Sequence, residues 1–473
     1  MSNQGCDIGL IGLGTMGRNF VLNMADHGFS VAVYNRTTEK TKDFMETEVG
    51  SRTIKAGYNL KEFIGLLKRP RALIMLVAAG DPVDMVIREL VPLLSPDDLI
   101  IDGGNSHFTD TNRRGKILSG KNLHFMGMGI SGGEAGARNG PSLMPGGSLA
   151  MYDRVGPILE AASAHVNGDP CVALLGPGSA GHYVKMVHNG IEYGIMELIV
   201  ETYDLLKRGL GLRPKDLAAI YDGLNRAELN SYLVEITAKI LAKKDDRTDN
   251  SLVDMILDKA KQKGTGMWTS WDAMDLQMGT PTIDVAVVMR DSSGYKDERL
   301  AAAQILGGPT QIFTGDKERF IGQLRNALYA SMIATYAQGL ALLHTASSTY
   351  AYNLDLEAVA RIWRGGCIIR AALLEDIRNA YKAKADLANL LMDSHLGKEF
   401  LRREADLREV VKVAATLGLP APALMVTLGY FDAYRSAVLP ANLIQAQRDF
   451  FGAHRYERLD APGSFHTEWE SSD

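Results

Sequence analysis

The chain has 473 residues, of which 46% are hydrophobic and 23% are charged, and its net charge is −5 at pH 7. Two or three domains fit this length, and the small negative charge gives no electrostatic reason to expect nucleic acid or an anionic membrane surface as a partner. No apolar run approaches the ~18 residues of a membrane span.

The ends and the cysteines indicate the compartment. Glycines interrupt the apolar N-terminal stretch, which we interpret as a first strand and not as a signal peptide. The C-terminal ESSD matches no retention or peroxisomal signal. Cys6, Cys171 and Cys367 lie far apart, without CxxC spacing or a disulfide framework. This pattern favours a reducing compartment, and we expect a cytoplasmic protein.

The first predicted element is a strand that enters a helix through a glycine-rich turn, Gly12-x-Gly14-x-x-Gly17. In dinucleotide-binding loops the first glycine allows the tight turn, and the second lets the backbone approach a pyrophosphate. The third lets the helix pack close to the strand. Because the motif follows a strand and opens a helix near the N-terminus, we expect a dinucleotide site and not a turn without ligand.

The second predicted strand, FSVAVY, ends in Asn35-Arg36-Thr37. NAD enzymes place an Asp or Glu near this position for the ribose hydroxyls, and here there is no acid. Arg36 can pair with a 2′-phosphate and stack on adenine, while Asn35 and Thr37 can form hydrogen bonds. The segment therefore favours NADP over NAD.

Three more strands are predicted at 72–77, 98–102 and 123–130, and they end in AAGD, GGNSH and SGGEAGARNG. Ligands bind beyond the carboxyl ends of strands in open α/β sheets. We therefore expect Asn105, Ser131, Gly132 and Gly133 to converge with the glycine-rich turn on one edge. A serine hydroxyl followed by two glycines suits a carboxylate.

From about residue 179 the pattern becomes helical. A weak internal repeat relates residues 189–206 to residues 326–343. The second copy has Gly322 in place of Lys185 and Tyr329 in place of Glu192. Since the helix does not require the lysine or the glutamate, their presence favours a functional role.

One face of the first helix carries Lys185, His188, Asn189, Glu192 and Tyr193 within an arc of roughly 140°. A solvated face is the alternative; we expect a cleft that faces the loops around Asn105 and Ser131. Partial burial beside other cations would lower the pKa of Lys185 and make it a base. Glu192 can then act as the acid if a carboxylate substrate raises its pKa.

Other cations are candidates for binding an anion. Lys263 precedes Gly264-Thr265-Gly266, and a lysine and a hydroxyl among glycines suit a phosphate. Arg290 ends an apolar helical run. Each would be interpreted as a surface cation if it stood alone.

Seven segments together resemble the 6-phosphogluconate dehydrogenase family, a branch of the β-hydroxyacid dehydrogenases. They are GLIGLGTMG, NRT, DGGNS, ISGGEAGARNGPSLMPGG, KMVHNGIEYG, KGTGMWT and FGAHRYE. The resemblance implies an α/β N-terminal Rossmann-type dinucleotide-binding domain (1–178), a large all-α domain with an internal repeat (179–435), and an extended C-terminal tail (436–473). The tail would reach the partner subunit of a homodimer; by its composition alone it would be a poorly packed extension.

The resemblance implies oxidation of 6-phospho-D-gluconate by NADP to ribulose 5-phosphate, CO2 and NADPH in the pentose phosphate pathway, without a metal ion. Lys185 would take the 3-hydroxyl proton and then help to polarise the keto group. Glu192 would protonate C1 of the enediol, and His188 and Asn189 would complete the catalytic group.

The resemblance also implies two sets of binding residues. The substrate would contact Asn105, Ser131, Gly132, Gly133, His188, Asn189, Tyr193, Lys263, Thr265 and Arg290, with Arg448 and His454 from the neighbouring subunit. The cofactor would contact Gly12, Leu13, Gly14, Thr15, Met16, Gly17, Asn35, Arg36, Thr37, Val77, Ala78, Ala79 and Asn105. Family members often have a lysine where this chain has Ala78, which leaves the strength of the NADP preference open.

Two other functions fit parts of the sequence. A sister β-hydroxyacid dehydrogenase with a small unphosphorylated substrate would explain the glycine-rich turn and Lys185, but not Lys263, Arg290, Arg448 or the tail. A nucleotide-binding sensor or structural dimer would leave the Lys185 and Glu192 pair unexplained.

Overall fold

The computed structural model describes residues 5–308 and 311–470. Its N-terminal part is built on a seven-stranded sheet, with a separate two-stranded ribbon. The strands are β1 (Ile8–Ile11), β2 (Val31–Tyr34), β3 (Ile54–Ala56), β4 (Ala72–Met75), β5 (Leu99–Asp102), β6 (His124–Ser131), β7 (Ser142–Gly146), β8 (His165–Val166) and β9 (Asp169–Pro170).

α-Helices follow most of these strands and dominate the second half of the chain. They are α1 (Thr15–Asp26), α2 (Thr38–Thr47), α3 (Leu60–Gly65), α4 (Asp81–Leu90), α5 (Phe108–Ser119), α6 (Gly133–Asn139), α7 (Leu149–Ala162), α8 (Ala180–Asp204), α9 (Pro214–Asn225), α10 (Tyr232–Ala242), α11 (Leu252–Met255), α12 (Thr265–Asp275), α13 (Pro281–Gly294), α14 (Lys296–Leu306), α15 (Lys317–Thr349), α16 (Leu356–Trp363), α17 (Leu373–Ala383), α18 (Leu396–Leu401), α19 (Glu404–Leu417), α20 (Pro422–Tyr434) and α21 (Ala441–Gly452).

The sheet has the strand order β3-β2-β1-β4-β5-β6-β7, and all neighbours are parallel except β6 and β7. Its apolar strands are buried on both faces. Ile8 and Leu10 belong to one core cluster and Ile11 to another, because successive side chains of a strand point to opposite faces. The order reverses between β1 and β4, and the crevice beyond their carboxyl ends is where such sheets bind nucleotides.

The predicted fold class is confirmed: a parallel α/β nucleotide-binding sheet is followed by a large helical part. Each of the five predicted strands is present. The sequence did not predict β3, β7 or the ribbon of β8 and β9. Strand β7 has the sequence SLMPG, whose Pro and Gly argue against a strand, and it exists because it pairs antiparallel with the long strand β6.

Helix α8 packs directly on the backbone of the sheet through a glycine seam. A Cβ at Gly181 would lie 2.2 Å from the carbonyl oxygen of Met144 in β7, and a Cβ at Gly129 in β6 would lie 2.4 Å from the Cβ of Lys185. Only residues without side chains permit this approach. The seam therefore fixes the start of α8, and with it Lys185, against β6 and β7.

In the helical part, α8 also packs against α15, the helix that carries the second copy of the predicted repeat. The helices meet where Gly194 faces Thr335 and Gly339 faces Ile191. The repeat itself stays a prediction. Among the described helices, none combines the length and apolar character needed to cross a membrane.

The chain forms two compact units, Met1–Thr427 and Leu428–Asp473. The second unit contains a local hydrogen-bond network around α21. The carboxylate of Asp449 in α21 accepts hydrogen bonds from the backbone of Arg455 and Thr467 and from the indole of Trp469. The apolar side chains of Leu443, Ile444, Phe450 and Phe451 nevertheless stay exposed.

Candidate active site

The glycine-rich turn between β1 and α1 has the geometry of a nucleotide loop. Gly12 has φ +106°, and a Cβ there would lie 2.3 Å from the carbonyl oxygen of Leu76. A Cβ at Gly17 would lie 1.9 Å from the carbonyl oxygen of Gly12, so both glycines are required by packing. A Cβ at Gly14 would meet nothing within 4 Å. The space above Gly14, at the start of α1, therefore fits a pyrophosphate.

The end of β2 is tied to this turn. The side-chain oxygen of Asn35 accepts a hydrogen bond from the backbone N–H of Leu13 (3.0 Å), and its amide donates to the carbonyl of Thr37 (3.1 Å). Arg36 lies between them and is exposed. Asn35 thus shapes the loop, while Arg36 exposes a cation beside it.

The loops after β4 and β5 line the same edge of the sheet. A Cβ at Gly12 would lie 3.5 Å from the side chain of Val77, and one at Gly104 would lie 3.2 Å from the carbonyl of Val77. Ala78, Ala79 and Asn105 are exposed. The strand order thus brings Gly12, Val77 and Gly104 together at one edge of the sheet.

A hydrogen-bonded chain runs along the polar face of α8 to the end of β6. Lys185 Nζ donates to Asn189 Oδ1 (2.6 Å), and His188 Nδ1 lies 3.0 Å from the same oxygen. His188 Nε2 lies 3.1 Å from Ser131 Oγ. Asn189 Nδ2 donates to Thr265 Oγ1 (3.1 Å). The structure therefore brings five of the predicted site residues into one network.

His188 acts in this network as a neutral ring. It is fully buried, and burial together with the nearby charge of Lys185 holds its pKa well below the ordinary value of 6.5. The carboxylate of Glu192 lies 3.9 Å from His188 Nδ1, but the two do not form an ion pair because the ring is neutral. In a neutral ring, Nδ1–H donates to Asn189 Oδ1 and Nε2 accepts a hydrogen bond from the Ser131 hydroxyl, which satisfies both contacts.

Lys185 is more deeply buried than the sequence predicted, with 6% of its surface exposed. Burial lowers its pKa from 10.5, while Glu192 and Cys367 act in the opposite direction. The expected repulsion from neighbouring cations is therefore wrong as the cause. A buried lysine with a lowered pKa has a larger fraction of neutral amine available as a base.

Glu192 lies two turns beyond Lys185 on the same face, and its side chain is 22% exposed. Burial raises the pKa of its carboxyl group, although Lys185 and Arg290 each lower it. Burial alone raises this pKa, and the expected further effect of a substrate carboxylate stays a prediction. The protein itself shifts the base and the acid in opposite directions.

A second group of predicted residues lies at the other end of the polar face. The guanidinium of Arg290 lies 3.5 Å from the centre of the Tyr193 ring. Thr265 is the first residue of α12, and Gly264 before it adopts a left-handed conformation. A Cβ at Gly266 would lie 2.4 Å from the Tyr193 ring. A cation, a hydroxyl and a helix N-terminus therefore adjoin, as anion binding requires.

The sequence did not predict a role for the end of α16 and the loop that follows it. The backbone N–H of Ile368 donates to Ser131 Oγ (3.4 Å), and the ring of Trp363 meets the His188 ring edge to face at 5.6 Å. The carbonyl of Gly366 blocks any side chain at Gly132. This loop lies far from residue 131 along the chain. Its only local sign of a close backbone approach is the pair Gly365-Gly366.

The remaining residues predicted to bind the substrate are surface groups. Gly133 has open space at its Cβ position, and Lys263 is exposed. In the second unit, Arg448 donates to Gln445 (3.0 Å), and the His454 ring lies 5.9 Å from that of Phe451. Within the described part of the chain, no three His, Cys, Asp or Glu side chains are grouped as metal ligands.

The sheet, its glycine-rich turn and the buried lysine of α8 define a dinucleotide-binding protein in which an α/β domain precedes a helical one. The model for the NAD binding domain of 6-phosphogluconate dehydrogenase matches residues 7–176, and the model for that enzyme's C-terminal domain matches residues 181–469. The chain belongs to the 6-phosphogluconate dehydrogenase family.

Named relatives match over almost the whole chain. A decarboxylating 6-phosphogluconate dehydrogenase from Synechococcus elongatus is 53% identical over 464 residues, 98% of each chain. The NADP(+)-dependent, decarboxylating enzyme from Bacillus subtilis is 50% identical, covering 99% of this chain and 100% of the relative. The solved 6-phosphogluconate dehydrogenase from Plasmodium falciparum, studied apo, with its cofactor NADP+ and with its substrate 6-phosphogluconate, has a TM-score of 0.95. It is 45% identical and covers 98% of this chain and 100% of its own.

Proposed function

We propose that this chain catalyses the oxidative decarboxylation of 6-phospho-D-gluconate to D-ribulose 5-phosphate and CO2, with reduction of NADP to NADPH. The observation that carries the proposal is the buried Lys185, whose amine is held by Asn189 beside the Ser131 end of β6. The family relation supports the substrate and the cofactor.

Lys185 is the base of the proposed reaction. As a neutral amine it takes the proton of the substrate 3-hydroxyl, while bound NADP supplies the acceptor for the hydride from C3. The ammonium so formed then polarises the new keto group as CO2 leaves C2. Asn189 Oδ1 keeps the amine in place through these steps, because a hydrogen bond from His188 Nδ1 (3.0 Å) holds that oxygen.

Glu192 is the proposed acid. Burial raises the pKa of its carboxyl group, so a proton is available for C1 of the enediol left after CO2 departs. In this scheme the substrate gains one proton from Glu192 and loses one to Lys185. Between turnovers Lys185 releases its proton to solvent and Glu192 takes one up.

The other site residues bind the two ends of the substrate. Asn105, Ser131, Gly132, Gly133, His188 and Asn189 hold its carboxylate and hydroxyl groups. Tyr193, Lys263, Thr265 and Arg290 surround the phosphate. The stacked pair of Arg290 and Tyr193 supports this assignment, because stacking orients the guanidinium.

The cofactor would lie along the residues from Gly12 to Gly17, with Asn35 to Thr37, Val77 to Ala79 and Asn105 around it. The open space at Gly14 and the exposed Arg36 support this arrangement. The decisive assay supplies 6-phosphogluconate and NADP and measures NADPH and CO2 together. Equal amounts are expected; turnover of only small unphosphorylated hydroxy acids, or NADP binding without turnover, would refute the proposal.

We further propose a cytoplasmic homodimer in which residues 436–473 reach the partner and bring Arg448 and His454 to its substrate phosphate. The division at residues 178 and 435 belongs to the same proposal. The exposed Leu443, Ile444, Phe450 and Phe451 support a partner surface, and three buried free thiols support a reducing compartment. Truncation before Arg448 should raise the KM for 6-phosphogluconate and increase the monomer fraction in light scattering. An unchanged enzyme would contradict the tail's role.

A further inference from the structure

The side of α12 that faces α8 presents a polar group at three successive turns. Thr265, Thr269 and Asp272 are 7%, 0% and 6% exposed. Steps of four and three residues place them on one side of the helix. Polar groups buried to this extent require partners.

Each of the three finds its partner on a different turn of α8. The pairs are Thr265 with the amide of Asn189 (3.1 Å), Thr269 with the carbonyl of Met186 (2.9 Å), and Asp272 with the hydroxyl of Tyr183. The partners descend along α8 as the α12 residues ascend. The helices are therefore antiparallel here, and together the three pairs permit only one register.

The helices can approach this closely because residue 190 is glycine. A Cβ at Gly190 would lie 2.6 Å from the Thr269 methyl carbon. A slide of α12 by one turn would bring other side chains into this contact. It would also separate the carboxylate of Asp272 from the Tyr183 hydroxyl.

Asp272 is the most costly of the three to displace. Its second oxygen accepts from the hydroxyl of Tyr350 at 2.8 Å, so two tyrosine hydroxyls satisfy a nearly buried carboxylate. A buried charge left without these donors costs far more than a neutral hydroxyl does. The rings of Tyr183 and Tyr350 both pack on Phe108, at 5.0 and 5.5 Å. The first residue of α5 therefore belongs to the same anchor.

We propose that Asp272 and Tyr183 are positioning residues that set the register of α12 on α8, and so fix the phosphate-binding start of α12 relative to Lys185. The inference rests on the proposed function, since it takes Lys263 and Thr265 to bind the substrate phosphate. Neither Asp272 nor Tyr183 needs to touch the substrate. Their loss should weaken the binding of 6-phosphogluconate and leave the cofactor site unchanged.

The test is the steady-state kinetics of Tyr183→Phe, which removes one hydroxyl and keeps the ring. We expect the KM for 6-phosphogluconate to rise about tenfold, since small misplacements of binding groups have effects of this size. The kcat and the KM for NADP should change less than about twofold on the same reasoning, because Lys185 and the sheet edge are undisturbed. Competitive inhibition by inorganic phosphate should weaken in parallel with substrate binding.

Tyr352→Phe is the matched control. Tyr352 belongs to the same ring cluster, 5.5 Å from Tyr183, but its hydroxyl bonds to Ser179 (2.7 Å) and not to α12. It should lower the melting temperature without changing the KM for 6-phosphogluconate. If both variants raise this KM equally, or if Tyr183→Phe leaves it at the wild-type value, the proposal is wrong.

Two further variants keep the test decisive. The double variant Asp272→Ala with Tyr183→Phe should have the KM of Asp272→Ala alone, because the two side chains act through one contact; additive effects would count against the proposal. Should Tyr183→Phe fold poorly, Asp272→Asn retains one acceptor oxygen and should raise the KM about threefold on the same reasoning. An unchanged KM there would also refute it. Wild-type turnover of 6-phosphogluconate, measured first, tests the proposed function separately.

Discussion

Replacement of Lys185 by methionine should abolish turnover while leaving the fold intact. Methionine has nearly the length of the lysine side chain and lacks the amine, so it fills a site that is only 6% exposed in the protein. The variant loses the hydrogen bond from Nζ to Asn189, but His188 remains 3.0 Å from that oxygen. It also no longer needs to bury a cation. The two effects oppose each other, and we expect the free energy of unfolding to change by about 1 kcal/mol or less.

The effect on the rate should be much larger. General base catalysis contributes about 10²–10⁴-fold, which corresponds to roughly 2.7–5.4 kcal/mol of transition-state stabilisation. The assay follows NADPH absorbance with saturating 6-phosphogluconate and NADP, and thermal denaturation monitors the fold. Lys263→Met is the control: it removes another lysine of the site and should raise the KM with little loss of kcat. A Lys185→Met enzyme that retained about a tenth of wild-type kcat would refute the assignment of the base, since the loss would fall below the range for such catalysis.

Three further predictions follow from the site. The profile of kcat/KM against pH should be bell-shaped, because activity rises as Lys185 loses its proton and falls as Glu192 loses its proton. The variant Glu192→Gln should therefore lack the fall on the alkaline side. A fall that persists in this variant would exclude Glu192 as the acid. Gly14→Ala should fold normally but bind NADP more weakly in calorimetry. Gly17→Ala should lower the free energy of unfolding by about 1–3 kcal/mol, because its methyl group clashes with the carbonyl of Gly12. Equal melting temperatures of the two variants would contradict the packing argument. Arg36→Ala should lower the ratio of kcat/KM for NADP to that for NAD at least about tenfold, and an unchanged ratio would place the 2′-phosphate elsewhere.

Local sequence patterns predicted the parts of the fold that depend on neighbouring residues. The turn from Gly12 to Gly17 needs glycines for reasons that act within a few residues, and the structure has the required close contacts there. The polar face from Lys185 to Glu192 follows from helical periodicity alone. Both could be predicted because strand, turn and helix geometry repeat from protein to protein.

The parts that could not be predicted depend on contacts between distant segments. Ile368 reaches Ser131, and Asp272 reaches Tyr183, yet nothing near residues 368 or 272 indicates these partners. The depth of burial of Lys185 had the same origin. It results from the packing of α8 on the sheet, where the Cβ position of Gly129 lies 2.4 Å from the Cβ of Lys185, and the cause of the lowered pKa therefore depends on contacts between distant segments.

The glycine seam between α8 and the sheet limits how freely the two halves of this chain can be exchanged in evolution. One family model ends at residue 176 and the other begins at residue 181, so a chimera of two relatives would naturally be joined there. A chimera joined there would have to inherit Gly129 from one parent and Gly181 from the other. Gly129 leaves room for the side chain of Lys185, and Gly181 leaves room for the backbone carbonyl of Met144. The two halves match separate family models, yet their packing in this chain depends on glycines in both.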